Sequence, residues 1–251
     1  MIVAIARREA GALFRSPVAW SLLAAVAALV AFIFLLHLES YLQIQSQLSS
    51  EGGPGVTGYL LPRLFGGAAT IHLLALPLLT MGLIAGEWRH GTLAMLLSAP
   101  VSPLEIIMGK FLGVLAVLLP MVMLTALMPL ALSALTDIDG GALLLATLGA
   151  TLFVVAAAAA GLYLSTLTRQ PVIAAIGTLA LLLALVLLGE WGASTFKDQW
   201  GALAAYPAPT THLEPFLGGL FDSGALAYFV LFTALFLGLA TRRLDNERLQ
   251  R

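Results

Sequence analysis

The chain of 251 residues contains no cysteine and very little charge: only 10% of it is Asp, Glu, Lys or Arg, against 60% hydrophobic residues. Soluble globular domains carry about 25% charge, so this composition excludes an ordinary water-soluble fold. The absence of cysteine removes disulfides, thiol nucleophiles and thiolate metal sites together. The 12 basic and 13 acidic residues nearly cancel to a net charge of -1. There is consequently no basic face for nucleic acid and no acidic solvating tail.

What is present is apolar and long. A helix needs about 20 apolar residues to cross a bilayer core, and six stretches qualify: 17–36, 66–86, 111–135, 142–167, 171–189 and 224–241. None shows the alternation of a transmembrane β-strand. The expected fold is an all-α polytopic membrane protein forming one domain over 1–251. The first apolar run is long enough to span and lacks a well-placed small-residue cleavage site, so it is expected to be retained rather than removed as a signal peptide.

Positive charge is held in the cytoplasm, and here its distribution is lopsided. Arg7, Arg8, Arg15, Arg89, Lys110, Arg169, Arg242, Arg243, Arg248 and Arg251 fall on one side; Arg63 and Lys197 fall on the other. Both termini are therefore expected to be cytoplasmic, in a bacterial-type inner membrane. The outer connections are expected to be a long polar loop over 37–65, a tight turn at 136–141 and a long segment over 190–223. Within the last, 211–220 is too short to span and too apolar for a free loop, which suggests a re-entrant or interfacial helix.

The six stretches contain no Asp, Glu, Lys or Arg, whereas ion pathways and proton relays usually place charge inside the membrane. No internal repeat of the kind common in secondary transporters is evident. His72 is the only imidazole inside a span: it could line a substrate path, or bond a helix carbonyl as a neutral packing residue, and the second role is the favoured one. No serine-protease, zinc-protease or paired-aspartate pattern appears, so no catalytic residue is assigned. His212 and Glu214 are too few and too oddly spaced to make a metal site. Ala157 and Gly161 form a small-xxx-small pair for close helix packing. Pro77, Pro120 and Pro129 are expected to kink their helices without breaking them.

The most informative stretch is the connection 87–105. Gly91 can break the incoming helix and Thr92 can cap a new one, while Leu93, Leu96 and Leu97 share one face of a short amphipathic helix that Pro100 ends. Ser102, Pro103 and Glu105 then supply an N-cap, a proline at the first helical position and a capping-box acid, starting the third span below the membrane. Lys110 is expected to snorkel toward the cytoplasm. A helix held between two spans in this way is a handle on which a cytoplasmic partner could push.

The run Glu87-x-Arg89-x-Gly91-Thr92-Leu93-x-x-Leu96-Leu97-x-x-Pro100-Val101-Ser102-x-x-Glu105-Ile106-x-x-Gly109-Lys110 resembles the signature of the type-2 ABC transporter permease family. It is most similar to the gliding-motility (GldF-like) and nitrous-oxide-reductase maturation (NosY-like) branch. The amphipathic segment 5–14, six spans, and His212-Leu213-Glu214-Pro215-Phe216 before the sixth extend the likeness over most of the chain. The resemblance implies a homodimeric permease whose segment 87–105 is a coupling helix for a separate nucleotide-binding ATPase subunit. Glu87, Arg89, Gly91, Thr92 and Glu105 become the docking and elbow positions. ATP and Mg would be bound by the partner, with no cofactor on this chain, which has no phosphate-binding loop of its own. The amino-terminal helix, with Arg7, Arg8 and Arg15 toward lipid headgroups or the ATPase, becomes a connecting helix. The expected output is ATP-driven export; the alternatives are a mechanotransmission module acting on a periplasmic partner and a membrane scaffold that transports nothing.

Overall fold

The computed structural model of the protein describes residues 1–50, 54–93, 101–195 and 205–249, and among these every regular element is a helix. In chain order they are α1 (Ile2–Arg15), α2 (Pro17–Ser50), α3 (Val56–Thr80), α4 (Ala85–Arg89), α5 (Pro103–Leu132), α6 (Gly140–Leu167), α7 (Pro171–Thr195), α8 (Pro209–Leu217) and α9 (Ser223–Leu249). Six are long and apolar enough to cross a membrane: α2, α3 continued through α4, α5, α6, α7 and α9. The all-α polytopic expectation therefore holds.

α6 is the hub of the bundle and packs against α3, α5, α7, α8 and α9. Its sequence explains the position. The run Ala156–Gly161 is buried on every side, because residues this small let several backbones approach one axis. α2 lies outside, paired with α3, and its exposed Leu29, Phe32 and Leu35 suit a lipid environment. Both chain ends gather where α5 begins: the amino group of Met1 lies 3.8 Å from Glu105, and Arg248 donates to the Val101 carbonyl at 3.3 Å. This end is called the terminal end below, and its opposite the far end.

Helices outrun the apolar stretches at several boundaries. The polar loop expected over 37–65 is mostly helix, since α2 continues to Ser50 and α3 starts at Val56. Gln43 reaches Glu39 one turn back at 3.4 Å, and Tyr41 packs on Tyr59 with ring centroids 5.5 Å apart. Hydropathy marked the membrane depth, whereas side-chain pairing carries the helices beyond it. α7 likewise passes 189 to reach Thr195, and α9 passes 241 to reach Leu249, where Arg243 pairs with Glu247 at 2.7 Å. α3 runs through Pro62 and Pro77, and α5 through Pro120 and Pro129, without a break.

Candidate functional site

The terminal end is assembled around an interruption. α3 stops at Thr80 and the chain turns through residues 81–84 before α4. Breaking a helix frees backbone groups that must find partners. Ser165 of α6 supplies them: its Oγ accepts from the N–H groups of Ile84 and Ala85, both at 3.0 Å, and donates to the Met81 carbonyl at 2.9 Å. One turn earlier on α6, a Cβ on Gly161 would collide with the Thr80 hydroxyl. Gly161 thus allows the contact and Ser165 fastens it. Sequence reading found Ala157 and Gly161 but missed Ser165, although the four-residue spacing of all three small residues was the available signal.

α4 then presents Glu87 to a buried cation. Lys110 of α5 has a side chain only 3% exposed, and its Nζ lies 2.9 Å from Glu9 of α1 and 3.2 Å from Glu87. The expected snorkelling Lys110 is therefore corrected: with α1 laid over α5 and α4 alongside, the ammonium reaches two carboxylates more readily than water. The approach depends on Gly109 and Gly113, where a Cβ would meet Ile5 and Glu9, and where the Ile2 and Ala6 carbonyls pass close by. Three elements are joined by one ammonium. The Glu87 carboxylate also accepts from the Thr92 hydroxyl, and the Thr92 N–H returns to the Glu87 carbonyl at 3.0 Å.

Gly91 has φ 71°, a left-handed conformation that glycine adopts without steric cost, and it redirects the chain after His90. Arg89 and Gly91 face outward, while Leu93 is buried. Arg169, after α6, places its guanidinium 4.7 Å from the Trp88 ring centroid. The expected amphipathic helix through Leu96 and Leu97 to Pro100 falls on 94–100, outside the described residues. On the exit side, Ser102 Oγ accepts from the Glu105 N–H at 3.2 Å and Glu105 Oε2 accepts from the Ser102 N–H at 3.0 Å. That capping box, with Pro103 at the first helical position, starts α5.

The far end is built differently. α8 is wedged beneath α6, α7 and α9, where Gly149 leaves room for Phe216 and Gly189 for Ala208. His212 stacks on Tyr228 at 3.9 Å and its Nε2 lies 2.9 Å from the Tyr206 carbonyl; Tyr228 donates to the Pro207 carbonyl at 2.7 Å. Among the described residues no three His, Cys, Asp or Glu side chains come together as a metal site. Between α3, α7 and α8 lies a cavity of about 470 Å³, walled by Leu73, Phe153, Leu183, Val186 and Leu217, with Glu214 and Thr210 at its polar margin. His72 is not among its lining residues. It is buried, with Nδ1 2.6 Å from the Ala68 carbonyl of its own helix and Nε2 unpartnered among the described residues.

These features define a multi-pass helical membrane protein with a charged assembly at one end and a largely apolar cavity toward the other. Residues 3–248 match the ABC-2 family transporter protein family, and the chain belongs to it. It is thus a membrane permease component of an ABC transporter, a class that works with an ATPase subunit. Among curated proteins, none matches the chain significantly.

Proposed function

We propose that the chain is the permease subunit of an ATP-driven exporter in a bacterial inner membrane, with both termini cytoplasmic. Two copies form a homodimer and dock onto separate ATPase subunits through 87–105. ATP and Mg are bound on those partners. Within the family we place the chain in the gliding-motility and nitrous-oxide-reductase maturation branch, on the run from Glu87 to Lys110.

The observation that carries this reading is the Lys110 junction. A force applied to the chain beyond Gly91 meets α4 at once, and the Glu87–Lys110–Glu9 contacts transfer it to α5 and α1. Ser165 transfers it to α6, the hub. Packed interfaces can convert small displacements at one element into movements of the helices joined to it. Arg89 and Gly91 are then docking positions for the ATPase, whereas Glu87 and Thr92 shape the elbow from inside and Glu105 caps the start of α5 at its exposed end. Ala157 and Gly161 act through packing. His72 serves packing more readily than a substrate path, because its Nδ1 is already engaged. The largely apolar cavity beside α8, with Thr210 and Glu214 at its margin, suits a lipidic or amphipathic substrate better than a small ion.

A second reading has its own observation. α2 has 34 residues, longer than the about 20 that a bilayer core needs, and its end pairs with α3 through Tyr41 and Tyr59. Such a projecting hairpin could carry force to a periplasmic partner in place of moving solute.

Co-purification of the detergent-extracted chain with ATPase subunits from its genomic neighbourhood tests the coupling role. Wild type should retain a stoichiometric ATPase and stimulate or gate its turnover. Gly91→Pro should keep the fold and lose coupling. Failure of every folded form to bind an ATPase would overturn the docking assignment and leave the scaffold reading.

A further inference from the structure

We infer that the cavity beside α8 is a side-entry site for single-chain cationic amphiphiles, which lay the tail between α3 and α7 and the head at Glu214. This rests on the reading of the cavity as the place of an amphipathic substrate, and adds how the two ends of that molecule are told apart. The void exists because α3 turns small residues toward α8. Gly66 and Ala69 line it, and a Cβ on Gly66 would stand 3.7 Å from Leu217. Its depth is apolar, walled by Phe153 of α6, Leu73 of α3 and Val186 of α7. Apolar voids stay dry and accept hydrocarbon in preference to water.

The cavity is open on one side. Leu74 is 53% and Leu183 37% exposed, and both line it. They stand near the middles of the spanning helices α3 and α7, so the opening faces the hydrocarbon of the membrane. A tail dissolved in the bilayer enters there without crossing a polar surface. The head is selected toward the far end, where Pro62, Thr210 and Glu214 line the cavity.

α8 presents Thr210, Leu213, Glu214 and Leu217, the i, i+3, i+4, i+7 face of one helix. Leu213 and Leu217 are buried along one edge of that face, and Thr210 and Glu214 form the other. The Thr70 hydroxyl already donates to the Gly66 carbonyl at 3.2 Å. Glu214 is exposed and has no cation within ion-pair distance among the described residues. Arg63, next to Pro62, is turned to its own helix: its guanidinium lies 3.7 Å from the Tyr59 ring centroid and donates to the Tyr59 carbonyl at 2.8 Å. A carboxylate at the head of an apolar slot that no basic residue lines favours a protonated amine over an alcohol and disfavours an anion.

Dodecylamine carrying a diazirine on its tail labels whatever wall the tail reaches; dodecanol and dodecyl sulfate carrying the same group are its neutral and anionic counterparts. The full-length chain in phosphatidylcholine nanodiscs would be irradiated with each. Peptide mass spectrometry then compares adducts at Leu73, Leu74, Leu183 and Val186 with those at Leu29 and Phe32 on the exposed face of α2. The expected result is saturable cavity labelling above the α2 reference. The amine should lead the alcohol by about fivefold, the preference that one solvent-screened ion pair supplies, with the sulfate behind both. Glu214→Gln should erase the amine's lead and leave tail labelling, whereas Glu39→Gln, an acid of α2 toward the same end, should keep it. Lys197 is outside the described residues; a rise in amine labelling in Lys197→Gln would reveal a native partner on Glu214 and overturn the proposal. Ala69→Leu and, from the opposite wall, Val186→Phe should lower cavity labelling by all three probes, and labelling that survives both overturns it. Equal labelling by the three probes in wild type, or equal effects of Glu214→Gln and Glu39→Gln, overturns the cationic head while leaving the amphipathic reading in place. Cavity labelling no higher than at α2 overturns both. No ATPase is present in this measurement, so neither result bears on the coupling role.

Discussion

The two ends of the bundle solve the same packing problem with different chemistry. At the terminal end, α1, α4 and α5 meet around one buried ammonium and two carboxylates, and a serine ties the broken α3 to α6. At the far end, α8 is held by shape: Phe216 sits in the space left by Gly149, aromatic rings stack, and a cavity remains. Charged contacts are directional and depend on every partner, whereas apolar contacts tolerate sliding. On the proposed function, the end that transmits a displacement is the one with defined geometry, and the end that would take a substrate is the one with adaptable walls.

That contrast is tested most severely by stranding the cation. Glu9→Gln/Glu87→Gln leaves Lys110 buried without a counter-charge, and breaking a buried pair in this way costs about 3 to 5 kcal/mol. Adding Lys110→Met should recover most of the loss, because an apolar side chain of similar length needs no partner. Equilibrium unfolding in mixed micelles measures both. If the triple variant is stable yet uncouples a bound ATPase, the network serves transmission; if it is stable and fully coupled, its directionality is irrelevant and the contrast between the ends collapses.

Overpacking the hub comes next. Gly161→Leu drives a side chain into Thr80, and a loss of about 3 kcal/mol, at the upper end for forced insertion into a packed core, is expected. Thr80→Ala in the same background should restore part of it, since the first atom in the way is the Thr80 hydroxyl. Absence of rescue in size-exclusion and unfolding profiles would show that α3 and α6 separate as bodies instead of clashing locally.

Much of this architecture is legible in the sequence, and the exceptions share a cause. Apolar length identified all six spans, and Ser102, Pro103 and Glu105 marked the start of α5 to the residue because capping is a local property. Span ends were misjudged where polar helix continues past the bilayer, as at 37–50: hydropathy reports depth, and the helix persists through Gln43–Glu39 and Tyr41–Tyr59. Lys110 was misplaced for a tertiary reason. Its partners are 101 and 23 residues away, and no local pattern says that α1 will fold over α5. The glycines at 109 and 113 were visible, but only the packed structure shows that they admit Glu9. Ser165 was hidden among ordinary span residues, since its role exists only because α3 breaks opposite it.

Ser165→Ala isolates the directional element of the terminal end without disturbing charge. Two buried N–H groups would lose their acceptor, with an expected cost of about 2 kcal/mol, and hydrogen exchange should accelerate at Ile84 and Ala85 before it does in α3. Tyr228→Phe makes the parallel change at the far end, removing one hydrogen bond to the Pro207 carbonyl from a ring that remains stacked on His212. There the expected cost is only about 1 kcal/mol, because the ring contacts persist and Tyr206 and Pro207 are themselves exposed. Comparable losses in the two variants would mean that the far end also depends on direction, and the division of labour between the ends would have to be redrawn.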